Sequence, residues 1–448
     1  MILPNLLFSE IMPPNVPIWT VLPFCLLLGT IALGPILFHK KWEHEKTKLI
    51  TIFALSIPVI FFEFLQGKNG VTKIGHALAE FVSFFSLISS LYIVASGFVF
   101  RVKWQHGVIS NAMLLAIALA STNILGTTGS SILFFKPFLH LNQSRATKVH
   151  LVVFYILMVG NTGGLLTPLG DPPLFIGYLN GIDFFWTTKL FPQWLVANLY
   201  LLGLFCIVDF ILWKKEKHLI SHPEDIHDKF IFSGERNLIW LLIIILSVLF
   251  QSPDFAGSRI LSVSLGIDKF HLPALFAAFI QVATGFLSFK LTPKLIHSTN
   301  LFTWEPVKEV GILFMGIFLT MVPALDYLRL HGENLGIHQP WQYFLITGGL
   351  SSLLDNAPTY LAFCVIGAGN EPISSLPANH PLVLAAICCG AVFMGANTYI
   401  GNGPNFLTKA LAEKEGIRMP NFFRYSFYAL IILSPLYFLI AWLFFWPS

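Results

Sequence analysis

Charged side chains are scarce in this chain of 448 residues. Only 11% of the residues are Asp, Glu, Lys or Arg, whereas 55% are hydrophobic and Phe alone occurs 44 times. A soluble domain carries about 25% charged residues. So few charges cannot cover the surface of a water-soluble body of this size, and the shortage predicts that lipid surrounds most of the protein.

Other absences narrow the function. No basic residue precedes Lys40, so no positively charged segment stands before the first apolar run and we expect no cleaved signal peptide. No Gly-x-x-x-x-Gly-Lys-Ser/Thr stretch occurs, which argues against a nucleotide-driven pump. The net charge of +4 is divided among short clusters, so no face for nucleic acid is predicted.

Cysteine and histidine also lack the spacing of metal ligands. The cysteines are expected to be small core-filling thiols rather than disulfide or metal partners, and they are Cys25, Cys206, Cys364, Cys388 and Cys389. The 14 histidines lie mostly in loops, where a solvated or regulatory role is expected, as for His218, His222 and His227. No transition-metal site is predicted.

Long apolar runs fill the sequence instead. A helix needs about 20 mostly apolar residues to cross the hydrocarbon core of a bilayer. The sequence predicts crossings near 17–38, 49–66, 76–100, 150–180, 187–213, 238–253, 272–290, 304–328, 381–405 and 425–446. The predicted fold class is an all-α polytopic membrane protein with about ten crossings.

Two further apolar stretches, about 107–140 and 341–367, carry polar, Gly or Pro residues at their middle. The first holds Ser121-Thr122-Asn123 and Gly126-Thr127-Thr128-Gly129, and the second holds Asp355-Asn356-Ala357-Pro358. Irregular backbone at membrane depth is tolerated only where protein buries it or where it lines a cavity. Both stretches are therefore predicted to be re-entrant hairpins whose tips meet in the middle of the membrane.

The distribution of lysine and arginine sets the predicted topology, because basic residues collect on the cytoplasmic side. If 107–140 enters from the cytoplasm and 341–367 from outside, the basic clusters are all cytoplasmic and both chain termini lie outside. If the two stretches were ordinary crossings, Arg101 and Arg145 would face opposite sides. The clusters lie at 40–48, 101–103, 145–148, 214–236, 290–294 and 409–424, with Lys68 and Lys73 as a small external exception.

This topology divides the chain into two similar units of opposite orientation. Each unit has two crossings, a hairpin, a broken crossing and a final crossing, as in secondary transporters with inverted repeats. Residues 49–213 form the predicted repeat 1 and 272–448 the predicted repeat 2. A first helix and cytoplasmic loop occupy 1–48, and a cytoplasmic linker with a connecting helix occupies 214–271.

A match between the two units supports a duplication. The stretch 163–175 aligns without a gap to 394–406. Asn123 and Asn356 keep nearly the same offset from these stretches in the two hairpins. The alignment pairs Thr167 with Thr398, Gly170 with Gly401 and Asp171 with Asn402.

Glycines and prolines within the aligned stretches predict that crossings 150–180 and 381–405 unwind. A broken helix exposes N–H groups at one half-helix end and carbonyls at the other. Carbonyls with Asn, Ser and Thr oxygens suit Na⁺, whereas N–H ends and amides suit a carboxylate. Simple kinks for helix packing are the alternative, which the pairing of each break with a hairpin tip disfavours.

Two acidic residues, Asp171 and Asp355, stand beside the predicted breaks. An ionised Asp at the bilayer centre costs about 2.5–3.5 kcal/mol on insertion scales, and such residues face pathways or partners. Burial disfavours the charged form, so such a carboxyl can hold a proton or a cation, but not both. That competition is the simplest basis for exchange. For Asp355 the structural alternative is a cap on a half-helix N-terminus, and the two roles are compatible.

Other acids inside apolar segments are given lesser roles. Glu63 and Glu80 are expected to pair with Lys73, His76 or a neighbouring helix. Asp326 is expected to reach water near the end of a span, and Asp209 to lie near the cytoplasmic interface.

At these residues the chain resembles the ion transporter superfamily, which includes NhaD-type sodium/proton antiporters, citrate and dicarboxylate carriers, and arsenite permeases. The resemblance covers nearly all of both repeats. It rests on the polar tip that precedes the run Gly163 to Pro172, on the tip Asp355 to Pro358, and on the break Gly401 to Asn405. The run Gly160 to Pro173 is most similar to a bacterial group described as citrate transporters or sodium:proton antiporters.

The resemblance implies two sodium sites, each where a hairpin tip meets its broken helix. The first site would use Thr122, Asn123, Asn161, Gly164 and Asp171, with Thr167 as a further candidate. The second site would use Asp355, Asn356, Thr359, Asn397, Thr398 and Asn402. Dicarboxylate carriers have a Ser-Asn-Thr tip in both halves. Here the tips read Ser-Thr-Asn at 121–123 and Leu-Asp-Asn at 354–356, and the second is similar to the antiporter branch.

The predicted function is therefore a sodium/proton antiporter that works by alternating access. A sodium- or proton-coupled transporter of citrate or a dicarboxylate is the alternative. A membrane aspartyl enzyme would need neither inverted repeats nor broken helices, so no enzyme is predicted, and no cofactor beyond the transported Na⁺ and H⁺. The expected partners are the lipid bilayer and small ions or an organic anion, in a bacterial inner membrane. The resemblance also implies a homodimer.

Overall fold

The computed structural model describes residues 16–42, 44–103, 107–216, 229–251, 263–264, 269–270, 272–300 and 302–446. Its helices, numbered in chain order, are α1 Leu22–Leu37, α2 His39–Trp42, α3 Glu45–Leu65, α4 Lys68–Ser96, α5 Val108–Leu141, α6 Val149–Met158, α7 Pro172–Leu179, α8 Phe191–Glu216, α9 Asn237–Phe250, α10 Leu272–Leu291, α11 Lys294–Thr299, α12 Glu305–His331, α13 Pro340–Ser351, α14 Asn356–Ala368, α15 Leu376–Asn379, α16 Pro381–Met394, α17 Gly403–Lys414 and α18 Phe422–Ile440.

Short segments complete the described elements. Tight 3₁₀ turns span Ile18–Val21, Thr162–Leu166, Trp186–Leu190, Gly332–Leu335, Ile373–Ser375 and Gly395–Asn397, and a π-helical turn spans Ala441–Phe445. Strand β1 (Val99–Lys103) pairs antiparallel with β2 (Lys229–Ser233), and β3 (Val263–Ser264) pairs with β4 (Lys269–Phe270). These two small ladders were not expected from the sequence.

Nine of the described helices are long and apolar enough to cross a membrane, or ten if a pair bent by 117° counts as one span. They expose large apolar side chains, such as Phe61, Phe279 and Phe438, which are 65%, 69% and 72% exposed. Apolar surface of this extent belongs in contact with lipid. The prediction of an all-α, multi-pass membrane protein is confirmed.

Helix α5 folds back on itself. Gly126, in its middle, has φ 75° and ψ 160°, a conformation that glycine adopts without strain. A straight helix of this length would measure about 51 Å. Instead, Asn111 near its start and Asn142 just after its end exchange two amide hydrogen bonds of 3.0 and 2.7 Å, and the hydroxyls of Ser121 and Ser130 meet at 2.8 Å. We call α5 hairpin 1.

Helices α13 and α14 form a second folded-back pair, hairpin 2. The chain reverses direction between Ser351 and Asn356. The rings of Tyr343 near the start of α13 and Phe363 near the end of α14 lie 6.5 Å apart, and a Cβ at Gly367 would lie 3.6 Å from the Tyr343 ring. The two helices are therefore antiparallel.

Two helices are interrupted at the predicted stretches. Broken helix 1 consists of α6, the turn Thr162–Leu166 and α7, and broken helix 2 consists of α16, the turn Gly395–Asn397 and α17. The predicted crossing 381–405 ends too early, because α17 continues to Lys414. In the sequence, the charged residues Lys409 and Glu413 obscure the apolar pattern of α17, whose buried face includes Leu411 and Ala412.

The connecting helix α9 is shorter than the predicted crossing 238–253. It has 14 residues, about 21 Å of helix, against about 30 Å of hydrocarbon. Residues 252–262, like the linker histidines at 218, 222 and 227, lie outside the described residues. The Asn237 side chain at the start of α9 donates to Gly97 O at 2.9 Å and to Thr292 Oγ1 at 3.0 Å, which ties α9 to the ends of α4 and α10.

Several side chains outside the broken helices differ from expectation. Lys73 forms an ion pair of 2.5 Å with Asp326, which therefore does not simply reach water. Glu63 is 2% exposed and lies close enough to Lys73 for the two charges to interact, although its Oε2 has no hydrogen-bond partner among the described residues. The five cysteines are free thiols. Cys25 is exposed rather than core-filling, because its side of α1 lies on the outer surface.

Candidate functional site

The tips of both hairpins bind the breaks in the helices by matching contacts. Thr167 Oγ1 donates to Asn123 O at 2.5 Å, and Thr398 Oγ1 donates to Ser352 O at 2.6 Å. Both threonines follow a 3₁₀ turn in extended backbone. The contacts therefore make Ser352 the counterpart of Asn123, whereas the sequence offsets had paired Asn123 with Asn356.

A second pair of matching contacts is the close approach of backbone within each break. A Cβ at Gly170 would lie 2.2 Å from Gly164 O, and a Cβ at Gly401 would lie 2.5 Å from Gly395 O. No side chain fits at such distances. The aligned glycines are therefore explained by the tight loop that each break makes.

Asp171 is the point where the two hairpins and both broken helices meet. It stands just before α7 and is 1% exposed. Its Oδ1 accepts hydrogen bonds from Thr127 Oγ1 at 3.0 Å and from Asn402 Nδ2 at 3.1 Å. Its Oδ2 accepts a hydrogen bond from Asn356 Nδ2 at 2.6 Å. The three donors come from hairpin 1, broken helix 2 and hairpin 2, and all are neutral.

Amide side chains extend the network beyond Asp171. Asn402 Nδ2 lies 3.3 Å from Asn161 Oδ1, and Asn161 Nδ2 donates to Asn405 Oδ1 at 2.7 Å. Asn405 in turn donates to Gly395 O at 2.9 Å. The breaks in the two helices are thus joined directly through buried amides.

The tip of hairpin 2 is held by a network of its own. Asn397 Nδ2 donates to Ser352 Oγ at 2.8 Å, and Tyr437 OH donates to Asn397 Oδ1 at 2.8 Å. The equivalent contact at hairpin 1 is Leu166 N, which donates to Asn123 Oδ1 at 2.9 Å. A backbone donor in one half is therefore replaced by a side-chain donor in the other.

Asp355 and Thr359 make their contacts within α14. Asp355 Oδ1 accepts from Ala357 N at 3.0 Å, and Thr359 Oγ1 donates to Asp355 O at 2.9 Å. The capping alternative for Asp355 thus describes its observed geometry. The residue is half-buried and close enough to Asp171 for the two charges to interact.

A cavity of about 40 Å³ opens beside Asp171, between α4, the tip of hairpin 1 and the first break. Its lining includes Leu91, Thr127, Gly170 and Asp171. One water needs about 10–15 Å³ of cavity volume, whereas pockets for organic ligands span about 300–1,000 Å³. The cavity accommodates a few waters or a small ion.

The hydrogen bonds group the predicted site residues differently from the two sodium sites that the resemblance implied. Three of them join Asp171 in one network, namely Asn161, Asn356 and Asn402. Four others hold the hairpin tips against the breaks, namely Asn123, Thr167, Asn397 and Thr398. Thr122 donates to Leu119 O in its own helix at 2.7 Å. The described contacts thus centre on one carboxylate shared by both halves, rather than on two separate groups.

Four contacting side chains were not among the predicted site residues, namely Thr127, Ser352, Asn405 and Tyr437. The offset shared by the two repeats could have found Thr127 and Ser352, because Thr127 and Asn356 each lie four residues after the tip contact of their hairpin. Asn405 lies three residues after Asn402, about one helical turn along broken helix 2.

Two hairpins whose tips meet two broken helices around a buried polar centre define a secondary transporter. A family model described as "Putative citrate transport" matches residues 13–445, and the chain belongs to this transporter family. The chain is also similar to a protein of Synechocystis sp. that is named an uncharacterized transporter. The two are 23% identical over 458 residues, which covers 95% of this chain and 98% of that relative.

Proposed function

We propose that the protein exchanges Na⁺ for H⁺ by alternating access, and that Asp171 holds either ion in turn. The observation that carries this proposal is a buried carboxylate whose three hydrogen-bond donors are all neutral. A buried charge without a charged partner is costly. A proton or a bound cation relieves that cost, and the two compete for the same oxygens.

Asn356 supplies a second oxygen for the cation. Its Oδ1 is buried without a hydrogen-bond partner among the described residues, while its Nδ2 contacts Asp171 Oδ2. A cation at this position would gain a carboxylate and an amide oxygen, the ligands that hard cations prefer. When Asp171 Oδ2 carries a proton instead, rotation of the Asn356 amide presents Oδ1 as the acceptor. The same pair of side chains therefore satisfies both states.

The surroundings favour a small cation over an organic anion. The stretches 118–131, 158–178, 351–366 and 394–407, which form the hairpin tips and the breaks, contain no Lys or Arg. A substrate of charge about −2 to −3 in the middle of the membrane needs donors or basic groups to offset its desolvation. Asp171 and Asp355 would repel it, and the cavity of about 40 Å³ is small for it.

Coupled transport of citrate or a related carboxylate is the second candidate, and the description of the family favours it. In that case Na⁺ or protons must first neutralise Asp171 and Asp355. The amides of Asn161, Asn356 and Asn402 would then bind the substrate, after a larger opening of the hairpins.

The proposed setting is the cytoplasmic membrane of a bacterium, with both termini outside and the open end of hairpin 1 in the cytoplasm. The positions of Lys215 and Lys414 support this orientation through the positive-inside rule, and the relative from Synechocystis sp. supports the setting.

Purified protein in liposomes tests the proposal. A Na⁺ gradient without any organic anion is expected to drive proton movement, with Li⁺ as a partial substitute and an equal K⁺ gradient as the control. At subsaturating Na⁺ the exchange should speed up as the pH rises, because fewer protons then compete for the carboxylate. Vesicles that accumulate labelled citrate but show no Na⁺-dependent pH change between about pH 6 and 9 would overturn the choice of cargo.

A further inference from the structure

A buried ion cluster lies at the open end of hairpin 1, at the opposite end of this hairpin from its tip. Arg145, in the loop after α5, donates through Nη1 to Asp209 Oδ1 at 2.8 Å and through Nε to Glu216 Oε2 at 2.9 Å. The side chains of Arg145, Asp209 and Glu216 are 2%, 0% and 8% exposed. The proposed exchange makes no use of these three charges.

The cluster joins both ends of hairpin 1 to α8. Asn111, at the start of the hairpin, donates to Asp209 Oδ2 at 2.9 Å and is also hydrogen-bonded to Asn142 at its end. Thr147 N donates to Glu216 Oε1 at 2.9 Å. Any separation of the hairpin ends from α8 must break these contacts.

His150 is the remaining member of the cluster. Its Nε2 lies 3.0 Å from Asp209 Oδ1, and its side chain is 9% exposed. Its Nδ1 is buried and has no hydrogen-bond partner among the described residues. The ring can therefore take up a proton at Nδ1 without losing its contact with Asp209.

We propose that His150 is a proton sensor that fastens the open end of hairpin 1 to α8 when it is protonated. With a neutral His150, Arg145 faces two carboxylates, so the buried cluster carries one net negative charge. Protonation brings the net charge to zero, and a balanced cluster is less costly to bury. Histidine is the side chain that changes charge between about pH 5 and 8.

Charged groups on the neighbouring elements leave this balance unchanged. Helices α5, α8, α17 and α18 pack on α6. His140 on α5 and Lys214 and Lys215 on α8 are exposed, as is Arg424 on α18, and Lys409 and Glu413 on α17 pair with each other at 2.9 Å. In the loop before α6, Lys148 Nζ donates to Gln143 O at 3.0 Å. Cys206 on α8 also lies near Asp209 and is uncharged as a thiol.

The expected effect has a definite sign. At acid pH the cluster is balanced and the hairpin ends are held, whereas at alkaline pH one uncompensated charge weakens the hold. A looser open end lets the tip of hairpin 1 part from the first break and gives ions access to the site. The inference goes beyond the proposed exchange and applies to any cargo.

Hydrogen–deuterium exchange tests this fastening of hairpin 1 to α8, which we call the lock, without any transport assay. Peptides covering 108–117 and 138–150 are compared at pH 6 and pH 8 in lipid nanodiscs, with rates corrected for the intrinsic effect of pH. We expect protection to fall about threefold or more at pH 8, because the cluster then holds one uncompensated buried charge. Peptides from hairpin 2, covering 340–351, serve as the control and should not change.

His150→Gln separates the sensor from other effects of pH. Glutamine keeps an N–H donor towards Asp209 but stays neutral, so the variant should show the low protection at both pH values. Wild-type protection that does not depend on pH, or a variant that keeps the wild-type dependence, would refute the proposal.

Asp209→Asn provides an opposite arm. The cluster is then balanced with a neutral His150 and positive with a protonated one, so the difference in protection between pH 6 and pH 8 should change sign. If this variant fails to fold, the comparison of wild type with His150→Gln decides alone. In the exchange assay at saturating Na⁺, the wild-type maximal rate should rise between pH 6 and pH 8, while that of His150→Gln should stay flat. A flat wild-type rate with pH-dependent protection would place the failure in the transport proposal rather than in the lock.

Discussion

Hairpin 1 and hairpin 2 meet the broken helices through the same contact from a threonine hydroxyl to a carbonyl, but their open ends are built differently. At the open end of hairpin 1, the buried cluster around Arg145 and Asp209 holds the hairpin against α8. The open end of hairpin 2 borders a cavity of about 440 Å³, whose lining includes Glu333, Glu371 and His380. The tips share a geometry because both must fit a break, whereas the open ends are free to differ.

The cavity at hairpin 2 has an anionic rim. Hydrogen bonds of 2.6 Å from Ser375 Oγ and Asn379 Nδ2 hold the pKa of the Glu371 carboxyl below its usual value. Glu371 therefore stays ionised over the whole physiological range. A negative rim raises the local concentration of cations, which would favour the proposed exchange of Na⁺.

The breaks themselves also differ in one position. Asp171 stands just before α7 and Asn402 just before α17, with nearly the same backbone angles of φ −144° and ψ 144° against φ −152° and ψ 138°. One is a carboxylate and the other donates to it. The two breaks therefore have similar backbones but only one carboxylate between them, that of Asp171. The following predictions test how far the two halves are equivalent.

The largest expected effect concerns orientation. In a variant whose only cysteine replaces Gln143, beside the open end of hairpin 1, a membrane-impermeant thiol reagent should label the protein only from the cytoplasmic side. A cysteine in place of His331 should be labelled only from outside. Labelling of position 143 from outside would refute the opposite orientation of the two hairpins, and with it the inverted repeat.

Removal of the shared charge comes next. Asp171→Asn is expected to lower Na⁺/H⁺ exchange at least about thirtyfold, since loss of a buried hydrogen-bonded charge has an effect of about 2 kcal/mol or more. Folding should be kept, because the Asn356 amide can rotate to accept from the new amide. Exchange is measured in liposomes, and the melting temperature controls for folding.

A swap of the two side chains provides the matched control. Asp171→Asn combined with Asn402→Asp moves the carboxylate by about one hydrogen-bond length to the other break. We expect this double variant to regain part of the exchange that Asp171→Asn loses. If it stays as inactive as the single variant, the two breaks are not interchangeable and the charge is needed on broken helix 1.

Stability should also distinguish the two hairpins. Gly126→Ala in hairpin 1 places a side chain at φ 75° and ψ 160° and 3.2 Å from Leu169 O, so it should lower the free energy of unfolding by about 1–3 kcal/mol. Gly349→Ala in hairpin 2 meets nothing within 4 Å and should be neutral or stabilising, by up to about 1 kcal/mol. Denaturation in detergent measures both, and equal effects would contradict the tight reversal at Gly126.

The smallest effect is expected at the cap of hairpin 2. Asp355→Ala removes the acceptor of Ala357 N and should cost about 1 kcal/mol of stability, whereas Asp355→Asn keeps a cap and should cost little. Both should weaken exchange if the charge of Asp355 helps to attract the cation. Normal exchange in Asp355→Asn would leave Asp355 with the capping role alone.

Much of this arrangement follows from residue types in the sequence. Polar tips and Gly/Pro runs predicted both hairpins and both breaks, because backbone that leaves a helix inside a membrane must be buried by protein. The aligned threonines and glycines marked positions with the same contact in each half. These features depend on neighbours in the sequence, so a single sequence is enough to find them.

Contacts between segments that are distant in the chain could not be predicted from the sequence. Asn356 and Asn402 were assigned to a second site, but both donate to Asp171, more than 180 residues away along the chain. Asp209 was expected only near an interface, whereas it is the centre of a buried ion cluster. Helix packing decides such pairings, and apolar periodicity does not encode which polar residues will meet.

The ladder between β1 and β2 has a mechanical consequence. It joins the end of α4 to the start of α9, from Val99 opposite Ser233 to Lys103 opposite Lys229, and the Asn237 side chain fastens the same two helices again. The ladder and the Asn237 hydrogen bond connect the two helices at the same end and together prevent sliding and rotation. Helices α4 and α9 should therefore move as one rigid unit. The distance between a probe on α4 and a probe on α9 should stay constant through the transport cycle. Either helix can then serve as the fixed reference against which movement of the hairpins is measured.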